Sequence, residues 1–128
     1  MTENIEKESI EDFKKRVSSY GLIYYDRKGK EISFEEWNKK TSDLTYRILN
    51  QESVGPYLVS TIWLGLNMNV WRRIPPIIFE TMIFHNNKDF EENPLNNYQE
   101  RYYTEESAFV GHKTAVEAAQ AQLIKDNA

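Results

Sequence analysis

Apolar residues recur along this chain with two different periods, and the change of period marks out the elements. Over 3–19, Ile10, Phe13 and Val17 fall at helical spacing with Lys14, Lys15 and Arg16 among them. Thr2 can cap that segment, acids sit in its first half and bases in its second, and Gly21 can stop it, so the pattern predicts an N-terminal helix. A short hairpin is expected next, with strands at 22–25 and 30–32 turned at Asp26-Arg27-Lys28-Gly29. Ser33-Phe34-Glu35-Glu36 has capping-box spacing and predicts a short helix from 34 to near 41, with Phe34 and Trp37 on its buried face.

From Asp43 onward the period shifts to two. The segments 44–50, 57–67, 76–85 and 98–103 are rich in β-branched and aromatic residues and read as strands. Gly55-Pro56 makes the first turn, 67–76 a longer loop, and 86–97 a polar, turn-rich connection. The last element is a helix over 105–125, capped by Thr104, with Glu105 and Glu106 in its first turn. Its inner stripe is Ala108, His112, Ala115, Val116, Ala119 and Leu123. A glycine inside a helix costs about 1 kcal/mol, so Gly111 predicts a close packing contact. Short connections between sequential strands favour antiparallel pairing. The expected fold is therefore α+β: an antiparallel meander of four strands with the C-terminal helix packed on one face. The N-terminal helix, the hairpin and the short helix would cover an edge or an end. One domain is expected over 1–128, with 1–20 as a helical extension and 22–125 as the core.

Composition narrows the function classes. Absence of cysteine removes disulfides, thiolate metal sites and cysteine nucleophiles. An acidic, mixed N-terminus and interrupted apolar runs predict neither a secretory leader nor a membrane span, so a cytoplasmic location is expected. The net charge of −4 is unevenly placed: residues 74–128 carry four basic against nine acidic side chains. That argues against a duplex-DNA binder, which needs a basic face.

Few residues are placed to do chemistry. His112 lies on the inner stripe of the last helix, and His85 at a strand end, but no metal-ligand spacing joins them, so no metal is expected. Glu80 sits inside Ile77-Ile78-Phe79-Glu80-Thr81-Met82-Ile83-Phe84, where it either lies among apolar neighbours or pairs with Arg47 or Arg101. The loop containing Asn67, Trp71, Arg72 and Arg73 sets an indole beside two guanidiniums before Pro75-Pro76, a combination enriched at binding hot spots and suited to phosphates and bases. Tyrosine pairs such as Tyr24-Tyr25 should put one ring on each face of a strand, leaving some exposed for an interface or a homo-oligomer contact. No phosphate-cradling glycine loop and no persuasive nucleophile–base order is present.

The strings Val59-Ser60-Thr61-Ile62-Trp63-Leu64-Gly65-Leu66, Pro75-Pro76-Ile77-Ile78-Phe79-Glu80-Thr81-Met82-Ile83-Phe84 and Arg101-Tyr102-Tyr103-Thr104-Glu105-Glu106, with Gly111-His112 in the helix, carry a resemblance. Over about residues 22–120 the chain resembles a widespread family of small uncharacterised bacteriophage and prophage proteins. No activity or cofactor comes with that resemblance. In the loop after Leu66 this chain departs from the family pattern, with Asn67-Met68-Asn69 and Trp71-Arg72-Arg73 where relatives tend to have Asp-His and glycines. Glu80, Thr104 and His112 all fall in the shared strings, so they are expected to form a buried polar network that seats the helix on the sheet. The expected function is that of a phage-type accessory protein, not an enzyme, which binds a host protein such as a component of its defences. The alternatives are a protein that sequesters a small-molecule nucleotide, a divergent enzyme built on Glu80 and His112, and a virion component.

Overall fold

The computed structural model describes residues 9–10, 23–67, 75–86 and 92–128. Most of the expected N-terminal helix, and Trp71, Arg72 and Arg73, lie outside the described residues. The elements run β1 (Tyr24–Tyr25), β2 (Glu31–Ile32), α1 (Phe34–Thr41), α2 (Leu44–Arg47), β3 (Ile48–Val54), β4 (Tyr57–Trp63), β5 (Phe79–His85), β6 (Gln99–Tyr102) and α3 (Glu105–Asp126). β1 and β2 form the hairpin, and β3 to β6 form a four-stranded antiparallel sheet in sequence order. The fold is α+β, with α3 packed across one face of the meander. No helix among the described residues is long and apolar enough to cross a membrane.

Strand alternation decides what each face carries. On β4, Tyr57, Val59, Thr61 and Trp63 point under α3, and their partners in the register on β5 are His85, Ile83, Thr81 and Phe79. Two apolar clusters fill that layer. One gathers Tyr25, Trp63, Ile78, Phe79 and Ala108; the other gathers Tyr57, Val59, Ile83, Ala115 and Ala119. The opposite face carries Leu58, Ser60, Ile62, Glu80, Met82 and Phe84. Between Ile48 and Asn50 the β3–β4 register slips, leaving Leu49 unpaired.

Alanine and glycine let α3 lie close to the sheet. Ala108, His112, Ala115 and Ala119 are its buried residues, at helical spacing. At Gly111 a Cβ would overlap the Tyr102 ring, which is the packing reason that the sequence demands.

Three local expectations are corrected. Leu44 does not begin a strand: Asp43 Oδ1 accepts from the Thr45 amide at 3.1 Å and the Thr45 hydroxyl at 2.7 Å, so the cap nucleates a turn of helix and β3 starts at Ile48. The strand expected over 57–67 ends at Trp63, because Gly65 takes a φ of 71° and turns the chain beneath the Trp37 and Trp63 rings. Tyr24 and Tyr25 are both buried. Phe34 and Trp37 cover Tyr24, with ring centroids 5.6 and 4.9 Å away, while Tyr25 joins the core on the other side.

Candidate functional site

The polar groups held between sheet and helix form one line. Thr61 and Thr81 face each other in the β4–β5 register, and their hydroxyl oxygens lie 2.5 Å apart. His112 comes down on them from α3, with Nδ1 2.6 Å from Thr61 Oγ1. On its other side His112 Nε2 faces Glu52 Oε1 at 3.3 Å, too loosely for a hydrogen bond. That same oxygen accepts from Asn50 Nδ2 at 3.0 Å. His112 is 2 % exposed and both threonines are fully buried, whereas the Glu52 side chain is 46 % exposed. The line therefore runs from the surface of β3 into the middle of the core.

The carboxylate assigns the tautomer. A lone pair on Nε2 would face negative charge, so the imidazole proton belongs on Nε2. Nδ1 then accepts from Thr61, and Thr61 accepts from Thr81. At the far end the Tyr102 hydroxyl is buried without a well-formed hydrogen bond. Burial pushes the Tyr102 phenol up, which the nearby Thr81 hydroxyl partly offsets.

Carboxylate, imidazole and hydroxyl in sequence have the connectivity of an activated nucleophile. Here the hydroxyl is sealed. Thr61 lies under α3, and neither it nor His112 lines the clefts of about 310 and 390 Å³ found elsewhere on the surface. What the arrangement does is register the helix on the sheet, since only one position of α3 brings the imidazole over Thr61.

The three residues expected to share a network are separated. Glu80 is adjacent to Thr81 on one strand, so alternation sends it to the opposite face. There it accepts from Gln99 Nε2 at 2.7 Å and Arg101 Nε at 3.0 Å, across the β5–β6 pair. Thr104 is exposed and caps α3, accepting from the Ser107 amide at 3.1 Å. It precedes His112 by two helical turns, roughly 12 Å at 1.5 Å per residue. His112 alone of the three belongs to the line, and Thr61, Thr81 and Glu52 are partners that sequence reasoning missed. For Thr61 and Thr81 the signal was a polar residue at the centre of a largely apolar strand; Glu52, in the polar middle of β3, carried none.

Asn67, expected at a binding surface, makes two bonds at the edge of the described residues. Its Oδ1 accepts from the Ile77 amide at 3.1 Å, and its own amide reaches the Ile23 carbonyl at 3.4 Å. It thereby ties the described chain on either side of residues 68–74 together. The platform around it is well bonded. Trp63 Nε1 donates to the Tyr25 carbonyl and Trp37 Nε1 to the Leu64 carbonyl, each at 3.0 Å, and the Leu64 amide reaches Ile78 at 2.7 Å.

A second polar cluster pins the other end of α3. The Tyr57 hydroxyl donates to Asp126 Oδ2 and accepts from Asn93 Nδ2 at 2.8 Å, with the His85 ring edge-on at 4.8 Å. Burial, and then the bond to Asp126, push the Tyr57 phenol up. The bonds from Tyr57 and Gln122 hold the Asp126 carboxyl below its ordinary range. Among the described residues, no three of His, Asp and Glu converge as a metal ion would need.

Set against family models, curated proteins and solved structures, the chain matches none of them.

Proposed function

We propose that this protein works by binding another protein rather than by catalysis, as a phage-type accessory protein that modulates or inhibits a host protein, a component of host defence being one such target. The carrying observation is the hydrogen-bonded frame formed by Asn67 and Ile77, on either side of residues 68–74. Asn67 and the bonded tryptophans make a stiff mount for a segment whose sequence sets Trp71 beside Arg72 and Arg73. Loops on rigid scaffolds are where recognition residues concentrate, and Trp and Arg are the side chains that carry binding energy there. The separation of Glu80 from His112 supports the same reading, since these two cannot act together as an acid–base pair.

Affinity capture from host lysate, read by mass spectrometry, tests it. The wild-type protein should retain a specific partner that the Trp71→Ala/Arg72→Ala variant loses. Turnover of a substrate in a broad hydrolase screen, abolished by Glu80→Gln or His112→Gln, would refute it.

A further inference from the structure

The β1–β2 turn, the end of α1, the turn of α2 and the first residue of α3 meet around a cleft of about 390 Å³. Its lining is Asp26, Arg27, Lys28, Lys40, Tyr46 and Glu105, and its volume suits a small molecule. Three of those side chains are cations. Both carboxylates are already engaged. Asp26 Oδ1 accepts from the Lys28 and Lys30 amides, each at 2.9 Å, and Glu105 Oε1 accepts from Arg27 Nε. Arg27 is fixed further by Nη1 donating to the Tyr46 carbonyl at 3.1 Å and by its amide donating to the Tyr46 hydroxyl at 2.8 Å.

Lys40 holds its Nζ 4.4 Å from the centre of the Tyr46 ring, a contact that positions the ammonium without neutralising it. Among the described residues neither Lys28 nor Lys40 has a carboxylate at ion-pair distance. The cleft also borders the N-terminal end of a 22-residue helix, whose macrodipole adds partial positive charge that Glu105 and Glu106 of the first turn oppose. Three cations against the Asp26 and Glu105 carboxylates leave the lining with one net positive charge, on a chain whose own net charge is −4.

We infer that this cleft binds a small molecule through a phosphate group, with Lys28 and Lys40 compensating its charge and the Arg27 guanidinium donating beside them. A tetrahedral dianion suits several converging cations better than a single carboxylate does. The Tyr46 ring is occupied by Lys40, by Arg27 and by Trp63 at 5.0 Å, so it offers no free face to a base. Recognition is then of the phosphate and not of the group that bears it. The inference is independent of the protein-binding reading and uses none of its residues.

Amide chemical shifts of the full chain, titrated at constant ionic strength with inorganic pyrophosphate, AMP and adenosine, test it. Pyrophosphate and AMP should give saturable shifts at Arg27, Lys28, Lys40 and Tyr46, and adenosine none. Lys28→Gln/Lys40→Gln should weaken pyrophosphate binding about tenfold, as loss of charge-assisted contacts would. If the double variant does not fold, Lys28→Gln alone, at an exposed turn position, should weaken it in the same direction. No saturable shift with pyrophosphate, shifts centred elsewhere, unchanged affinity in the folded variants, or adenosine binding as well as AMP would each overturn it. Polyglutamate displacing pyrophosphate at equal charge concentration would also overturn it, assigning the cleft to an acidic protein partner.

Discussion

The hydroxyls of Thr61 and Thr81 meet at 2.5 Å directly opposite one another on β4 and β5, and the imidazole of His112 closes the line above them. Each group supplies what its neighbour lacks, so their energies should not be separable. Thr61→Val keeps the side-chain shape but leaves the His112 and Thr81 groups without their partner. It should cost about 1–3 kcal/mol, the penalty for a buried unsatisfied polar group. Thr81→Val should cost a similar amount, and the double substitution less than the two together, because it removes both halves of one contact. Urea denaturation of the three variants measures this; strictly additive losses would show that no coupled line exists.

Gly111→Ala should run against helix propensity. In an exposed helix that change stabilises by about 1 kcal/mol. Here the added methyl overlaps the Tyr102 ring, so α3 must lift or the ring must move, and the variant should lose stability. In a Tyr102→Ala background the same change should be much less harmful. Thermal unfolding of the two singles and the double distinguishes packing from propensity.

The Tyr57–Asp126 contact predicts stability changes at both ends of the pH scale. Tyr57 is raised in the folded state, so its contribution is present below the ordinary phenol value near 10 and is lost as pH climbs through the folded value. Asp126 is lowered, so its contribution is present above the unfolded carboxyl value and is lost as pH falls through the folded one. Tyr57→Phe should flatten the alkaline fall in Tm, and Asp126→Asn the acid one. Tyr24, Tyr98 and Tyr102 are also raised by burial, so some alkaline sensitivity should survive Tyr57→Phe.

Glu80→Gln should be mild. Glu80 is buried, but its Arg101 partner is 38 % exposed and glutamine keeps an acceptor for Arg101 and Gln99, so the loss should stay near the net worth of one hydrogen bond, about 1 kcal/mol. A loss as large as that from Thr61→Val would mean that the second face of the sheet is more tightly closed than the Arg101 exposure implies.

Asn67→Ala should loosen the link between Asn67 and Ile77 without unfolding the sheet. The Ile77 amide, which donates to Asn67 Oδ1, should then exchange with solvent faster than in the wild type, while amides in β4 and β5 keep their protection. Uniform loss of protection would show that Asn67 supports the whole sheet.

The fold was legible where pattern and chemistry agreed. Period-two segments became β4, β5 and β6, and the threonine followed by two glutamates became the start of α3. Leu44 misled because a local cap outweighed its apolar character, and Tyr24 because a second aromatic layer covers a face that alternation alone assigns to solvent. The site was harder to read. Glu80 and His112 stand out in the sequence as polar intruders, yet which face of β5 Glu80 takes depends on the neighbour that claims the helix side, and that neighbour is Thr81. Arg27 and Glu105, 78 positions apart, meet only because α3 begins beside the β1–β2 turn.

The two outer strands of the sheet are unequal hazards. β6 spans four residues and β3 seven, and among the described residues no further strand pairs with the outer side of β3. Its middle, Asn50-Gln51-Glu52-Ser53, is polar, and the slip at Leu49 interrupts its regular pairing rhythm. Irregular, charged borders of this kind are how natural sheets discourage lateral stacking into fibrils. The slip beside Ile48 and the polar middle of β3 are features of that kind.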